Sequence, residues 1–113
     1  MGYDITGGRS KKLMSESYDN YLCHISCQYS YTNLLNESFG FEFSTFRGRI
    51  TEANRHRFII GIDNMIENLK DNRNSQPMFY GYISNISPER FIDELTKLRK
   101  LIEDREVRYL SVG

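Results

Sequence analysis

The chain has 113 residues, of which 39% are hydrophobic, and its fifteen basic residues balance its fifteen acidic residues. Such a composition excludes wholesale disorder, and a net charge of zero provides no overall attraction to nucleic acid or to an anionic membrane. Two cysteines are too few for a disulfide scaffold, and no apolar run approaches the roughly 18 residues that span a bilayer. We therefore predict one cytoplasmic domain over residues 1–113, with reduced thiols and no membrane contact.

The first fifteen residues, MGYDITGGRSKKLMS, predict an N-terminal strand or a flexible arm. A short apolar start is followed by two glycines and then by basic residues. Glycine pairs and polar clusters near a chain end are typical of loops.

Residues 20–33, NYLCHISCQYSYTN, predict a strand. Tyr21, Cys23, Ile25, Cys27, Tyr29 and Tyr31 occupy alternate positions, and the positions between them are polar except for Leu22. A sparser helical spacing runs through Leu22, Ile25 and Tyr29, but Tyr, Ile and Thr favour strands. A strand places the three tyrosines on the same face as the two thiols.

The same stretch holds Cys23, His24 and Cys27, which are candidate metal ligands or a candidate nucleophile. A zinc site needs four ligands, and His56 is the only other histidine or cysteine in the chain. On a strand, His24 points away from both thiols, and the thiols lie too far apart for a disulfide. We predict free structural cysteines, no metal, no cofactor and no catalytic residues, so that an enzyme is the least favoured class.

The strand also resembles a segment of small uncharacterised bacterial and phage proteins, in which it commonly has the sequence Asn-Ile-Thr-Tyr-Asn-Tyr-Ser. Ile25, Ser26, Tyr29 and Ser30 correspond to that segment, whereas Cys27 and Gln28 depart from it. The resemblance implies a strand and a bacterial or phage origin. It implies no activity.

Residues 34–72 predict a loop, a strand and a helix. Leu34–Ser38 is a loop or a single turn, and the alternation of Phe39, Phe41 and Phe43 predicts a strand with one buried face. Phe39, Gly40 and Phe41 also match part of the aromatic strand of RNA-recognition motifs, but the flanking residues do not. Thr51 is the predicted N-cap of a helix that ends near Asn72.

The last forty residues predict two strands separated by a helix. MFYGYI, residues 78–83, is a short aromatic strand, and residues 106–112, EVRYLSV, are a candidate edge strand. Between them, Pro88 occupies the first position of a helix capped by Ser87. Phe91, Leu95, Leu98 and Ile102 follow helical spacing and form its buried face. Its predicted surface ion pairs are Asp93 with Lys97 and Arg99 with Glu103.

Together these elements predict an α+β fold. We expect a small antiparallel or mixed sheet of about four strands, with two long amphipathic helices packed on one face.

Four arginines surround the predicted start of the Thr51 helix and form a candidate anion site. They are Arg47, Arg49, Arg55 and Arg57. A helix N-terminus with flanking arginines attracts phosphate or carboxylate groups, so the cluster predicts binding of nucleic acid, nucleotide or another phosphorylated ligand.

The favoured prediction is nevertheless a small non-enzymatic protein-binding module, for instance a phage or mobile-element inhibitor of a host factor. Eight tyrosines in a chain without tryptophan are more than a core needs, and tyrosine is common at interfaces. The candidate interface residues are Tyr31, Tyr80 and Tyr82, and the partner is a host protein or a second copy in a homo-oligomer.

Overall fold

A computed structural model describes residues 2–72 and 88–113 of the chain, which form an α+β fold with a four-stranded antiparallel sheet. The strands are β1 (Gly2–Gly8), β2 (Tyr21–Gln28), β3 (Arg47–Arg49) and β4 (Tyr109–Val112). Their order across the sheet is β2-β1-β4-β3, and all three pairings are antiparallel. The N-terminal segment is therefore an interior strand over Gly2–Gly8 and not an arm.

Four helices accompany the sheet in the described part of the chain. They are α1 (Lys11–Glu16), α2 (Thr32–Phe39), α3 (Arg55–Asn72) and α4 (Pro88–Glu103). No helix within residues 2–72 and 88–113 is both long and apolar enough to cross a membrane.

The core lies between one face of the sheet and the three longer helices. Ile5, Ile25, Leu110 and Val112 are buried on that face, and they share one apolar cluster with buried residues of α2, α3 and α4. The predicted buried face of α4 is confirmed, because Phe91, Leu95, Leu98 and Ile102 are all fully buried. The other face of the sheet carries polar residues, as expected for an antiparallel sheet with one side in water.

The strand predicted over residues 20–33 is confirmed only as far as Gln28. Tyr29–Tyr31 form a 3-10 turn that leads into α2, so Leu34–Ser38 belongs to a helix of eight residues and the prediction of a loop or a single turn is wrong. Helix α2 contains weak helix formers, but Leu35 and Phe39 bury its apolar side in the core. Tertiary packing therefore overrides local preference here.

The strand predicted from Phe39, Phe41 and Phe43 is also wrong. Phe39 ends α2, Gly40 adopts a left-handed φ of 78° just after the helix, and Phe43 begins a 3-10 turn. The fold nevertheless brings these side chains together, with the Phe39 and Phe43 rings stacked 3.9 Å apart. The phenylalanines therefore belong to the core, and they do not form an exposed stacking platform.

Two further features differ from expectation. Helix α3 begins at Arg55 because Thr51 and Asn54 first close a turn, in which the Asn54 amide donates to Thr51 Oγ1 and Asn54 Oδ1 accepts from the Thr51 amide. Strand β4 pairs with both β1 and β3, so it lies inside the sheet and not at an edge.

The ion pairs of α4 agree only in part with expectation. The predicted pair of Arg99 with Glu103 is present at 3.6 Å, but Lys97 pairs with Glu94 at 3.5 Å. The MFYGYI strand, Tyr80, Tyr82 and the Ser87 cap lie outside the described residues.

Candidate functional site: the two edges of the sheet

No strand within residues 2–72 and 88–113 pairs with the outer edge of β2. In an antiparallel pair, a residue's N–H and C=O point to the same side. Asp4 exchanges both of its main-chain hydrogen bonds with Gly113, at 3.3 and 3.0 Å, so both groups of Asp4 point away from β2. Because the register places Asp4 opposite Ser26 and Thr6 opposite His24, the main-chain groups of Ser26 and His24 point outward from the sheet.

Strand β2 carries none of the usual protection against edge pairing over this stretch. Proteins protect edge strands with lysine or other charges, with proline, with bulges or by keeping them short. Tyr21–Gln28 has eight residues and contains no Lys, Arg, Asp, Glu or Pro. Its one irregularity, opposite Gly7 and Gly8, lies at the Tyr21 end and leaves the register regular from Cys23 to Gln28.

The opposite edge, β3, is protected. It has only three residues. Phe46 and Ile50 direct their main-chain hydrogen bonds to β4, so the outward-pointing residues between them are Arg47 and Arg49. Both arginines are exposed. Charges therefore stand at the two positions of β3 where a further strand would pair, and of the two edges of the sheet formed by the described residues β2 is the one without such charges.

A groove of about 640 Å³ lies between β2 and α4, beside this edge. Leu22, Cys23 and Leu101 supply apolar surface, while Glu94, Lys97 and Lys100 supply charges of both signs. A strand added to β2 would place every second side chain over this groove, because successive side chains of a strand point to opposite faces.

Tyrosines stand at both ends of β2. Tyr18 is 81% exposed and contacts the ring of Tyr21 at 5.2 Å, while Tyr29 is 58% exposed and contacts the ring of Tyr3 at 5.6 Å. The predicted shared face of tyrosines and thiols is wrong, since Tyr29 and Tyr31 lie beyond the strand and Tyr21 pairs with Gly8 on the polar face. The candidate interface residue Tyr31 packs its ring 5.2 Å from that of Phe91.

The predicted arginine cluster is divided by the fold. Arg55 binds Glu52 through two hydrogen bonds, one of 2.6 Å, and Arg105 binds the same carboxylate at 2.9 and 3.1 Å. Hydrogen bonds from Arg55 and Arg105 lower the pKa of Glu52 below its ordinary value. Of the four predicted arginines, Arg55 thus already has a carboxylate partner within the chain.

The other three predicted arginines make different contacts. Arg57 covers the ring of Phe41, with its guanidinium carbon 4.9 Å from the ring centre. Arg47 and Arg49 extend from the polar face of the sheet, where the register aligns Arg47 with Ser111 and Arg49 with Tyr109. Arg47, Ser111, Thr6 and His24 form one cross-strand row on this face. Arg9, in contrast, pairs with Glu106 at 2.8 Å.

Cys23 and Cys27 lie in surroundings typical of structural cysteines. Both cysteines are free, and Cys27 is buried whereas Cys23 is half-buried beside the groove. Burial raises the pKa of Cys23 to about 12 and that of Cys27 to about 11, so both remain protonated thiols at neutral pH. On the opposite face, His24 Nε2 lies 3.2 Å from Asp4 Oδ1. Within residues 2–72 and 88–113, no group of three or more His, Cys, Asp or Glu side chains is placed to hold a metal.

The described residues thus define a small α+β protein whose antiparallel sheet is polar on one face and has β2 and β3 at its two edges. Comparison of the chain with protein-family models, with curated proteins and with solved structures found no match. The sequence contained one signal for the unprotected edge, which is the absence of charge and proline from residues 21–28. The absence of charge and proline indicates an unprotected edge only if β2 lies at the edge of the sheet, which the sequence alone does not show.

Proposed function

We propose that this chain is a small protein-binding module that acts by strand addition at β2. The observation that carries the proposal is the contrast between the two sheet edges: the outward main-chain groups of β3 belong to arginines, while those of β2 belong to His24 and Ser26. Main-chain hydrogen bonds to an added strand supply affinity, and side-chain contacts beside the edge supply specificity. A modulator of a host factor, of phage or mobile-element origin, is the biological role that we favour for such a module.

Ser26→Pro tests the mode of binding. The Ser26 N–H points outward, so proline removes a donor that an added strand needs without removing a bond between β2 and β1. Ser26→Ala is the matched control, because it removes the hydroxyl and keeps the main-chain N–H. We expect partners captured from a bacterial lysate by the wild type to be retained by Ser26→Ala and lost by Ser26→Pro.

The folded state of each variant is checked by circular dichroism. A Ser26→Pro protein with the wild-type spectrum and the wild-type set of partners would contradict strand addition. If the proline variant does not fold, Ser26→Lys provides the same test with the N–H retained, since an edge lysine disfavours pairing.

A second candidate function is binding of a nucleic acid or another phosphorylated ligand on the polar face of the sheet. Arg47 and Arg49 favour it, because both are exposed and lie in line with Ser111 and Tyr109. Binding of a single-stranded oligonucleotide should then weaken steeply as salt rises. The double variant Arg47→Ala, Arg49→Ala should abolish it, whereas Arg55→Ala should change affinity little because Glu52 already binds Arg55.

A further inference from the structure

We infer that the partner strand at the β2 edge is the β2 strand of a second copy of this chain. This inference rests on the proposed function and specifies its partner. The two copies would pair antiparallel about a two-fold axis and join two four-stranded sheets into one sheet of eight. Such an interface uses the same surface on both copies, so the surface must be complementary to itself.

The main-chain pattern of β2 meets that requirement. A two-fold axis normal to the sheet keeps the polar faces of both copies on the same side of the joined sheet. It also places residues of the two copies opposite each other only when their side chains lie on the same face. With the axis at Ile25, His24 faces Ser26 of the second copy, and Ser26 faces its His24. Both residues have main-chain groups that point outward from the sheet. Two such pairs, each exchanging two hydrogen bonds, give about four main-chain bonds across the interface.

This register also avoids opposing like charges. His24 is the one basic side chain on the polar face of β2, which carries no acidic residue, and it opposes serine here instead of a second histidine. Each His24 keeps its contact with Asp4 of its own copy, at 3.2 Å. The other side of the strand brings half-buried Cys23, beside the groove, next to the second copy.

The groove beside β2 is charge-complementary to its own copy. Along α4 the charged lining residues follow in the order Glu94, Lys97, Lys100. A two-fold axis reverses this order in the second copy, so an acidic group of one helix can approach basic groups of the other. The contact between Lys97 and Glu94 is long at 3.5 Å, and the Lys97 side chain is 74% exposed. A formal net charge of zero means that two copies do not repel each other as whole molecules.

Amide hydrogen exchange of the wild-type protein tests this inference residue by residue. The chain is followed by NMR at increasing concentration, with sedimentation velocity to report the oligomeric state. We expect a monomer–dimer equilibrium in which the His24 and Ser26 amides become protected as the dimer forms. The Arg47 and Arg49 amides are internal controls, since they point outward from the other edge and should remain unprotected at every concentration.

Edge variants give the corresponding change in affinity. Ser26→Pro removes one N–H donor from each copy, and we expect its dimer dissociation constant to rise at least about tenfold, with Ser26→Ala close to wild type. The hydrogen-exchange experiment uses only the wild-type protein, so it tests pairing of β2 with a second copy even if the proline variant is unfolded.

A synthetic peptide with the sequence of residues 21–28 separates the inference from the proposed function. If the protein stays monomeric but this peptide protects the His24 and Ser26 amides, strand addition stands and the second copy is overturned. If the protein neither dimerises nor binds the peptide, the second copy is overturned, and strand addition is overturned as well if Ser26→Pro keeps the wild-type set of captured partners. Protection of these amides that does not change with concentration also overturns both, because the edge is then already covered within one molecule.

Discussion

Replacement of Gly61 by alanine tests how tightly α2 packs on α3. Gly61 lies within α3, where alanine is favoured over glycine by about 1 kcal/mol on helix propensity alone. Packing opposes this gain, because a Cβ at position 61 would have three ring atoms of Phe39 within 2.6 Å. The Phe39 ring cannot withdraw freely, since it stacks on Phe43 at 3.9 Å in the core.

The cost of overpacking exceeds the gain in helix propensity by enough to predict the sign of the change in stability. Overpacking in a filled core costs about 1–3 kcal/mol, and a clash with three atoms of a stacked ring belongs at the upper end. After subtraction of the propensity gain, we expect Gly61→Ala to lower the free energy of unfolding by about 2 kcal/mol. Urea denaturation followed by circular dichroism measures this as a lower midpoint with an unchanged slope.

Two further variants separate the steric clash with Phe39 from other causes of lost stability. Adding Phe39→Leu to Gly61→Ala removes the ring that the new methyl group meets, so the pair should be less destabilising than the sum of the single changes. Gly40→Ala places its methyl in open space but at a φ of 78°, and it should cost roughly 1 kcal/mol from backbone strain alone. A Gly61→Ala protein as stable as the wild type would refute the packing argument.

The remaining predictions concern ionisable groups. The pKa of Glu52 is lowered by Arg55 and Arg105, so its contribution to stability is present above the ordinary glutamate pKa and is lost as pH falls below it. Acid titration of the melting temperature should therefore be shallower for Glu52→Gln than for the wild type, and identical profiles would contradict the ion pair. Cys23 and Cys27 should react with a thiol reagent far more slowly than free cysteine at neutral pH, and both should react at once in denaturant. Because burial raises their pKa values to about 12 and 11, their contribution to stability is complete below the ordinary thiol pKa and is lost as pH rises through the raised values. Rapid labelling of Cys27 in the folded protein would show that it is not buried as described.

The elements that could be predicted from sequence are those fixed by local signals. Helix α4 has proline at its first position and an unbroken apolar spacing from Phe91 to Ile102, and both features act within a few turns of helix. Strand β2 was predictable as far as Gln28 because alternation and strand-forming residues coincide there. The α+β class followed from these elements.

The missed features depend on contacts between distant parts of the chain. Strand β3 has three residues, Arg47–Arg49, too few to show a pattern. Helix α2 forms because Leu35 and Phe39 pack into the core, which no local signal reveals. The arginine cluster looked like one site because its members are close in sequence, yet Glu52 is neutralised in part by Arg105, 53 residues away.

The pairing of β1 with β4 has a consequence for how the chain is made. Thr6 donates its hydroxyl hydrogen to the Ser111 carbonyl at 3.2 Å, across 105 residues of sequence. At about 5–20 residues per second, the ribosome needs roughly 5–20 s to supply β4 after β1 has been synthesised. Until then β1 can pair only with β2, and an isolated two-stranded hairpin is marginally stable in water. We therefore expect the sheet to form only after Tyr109–Val112 emerge, so that a nascent chain arrested before Tyr109 should remain open to proteolysis.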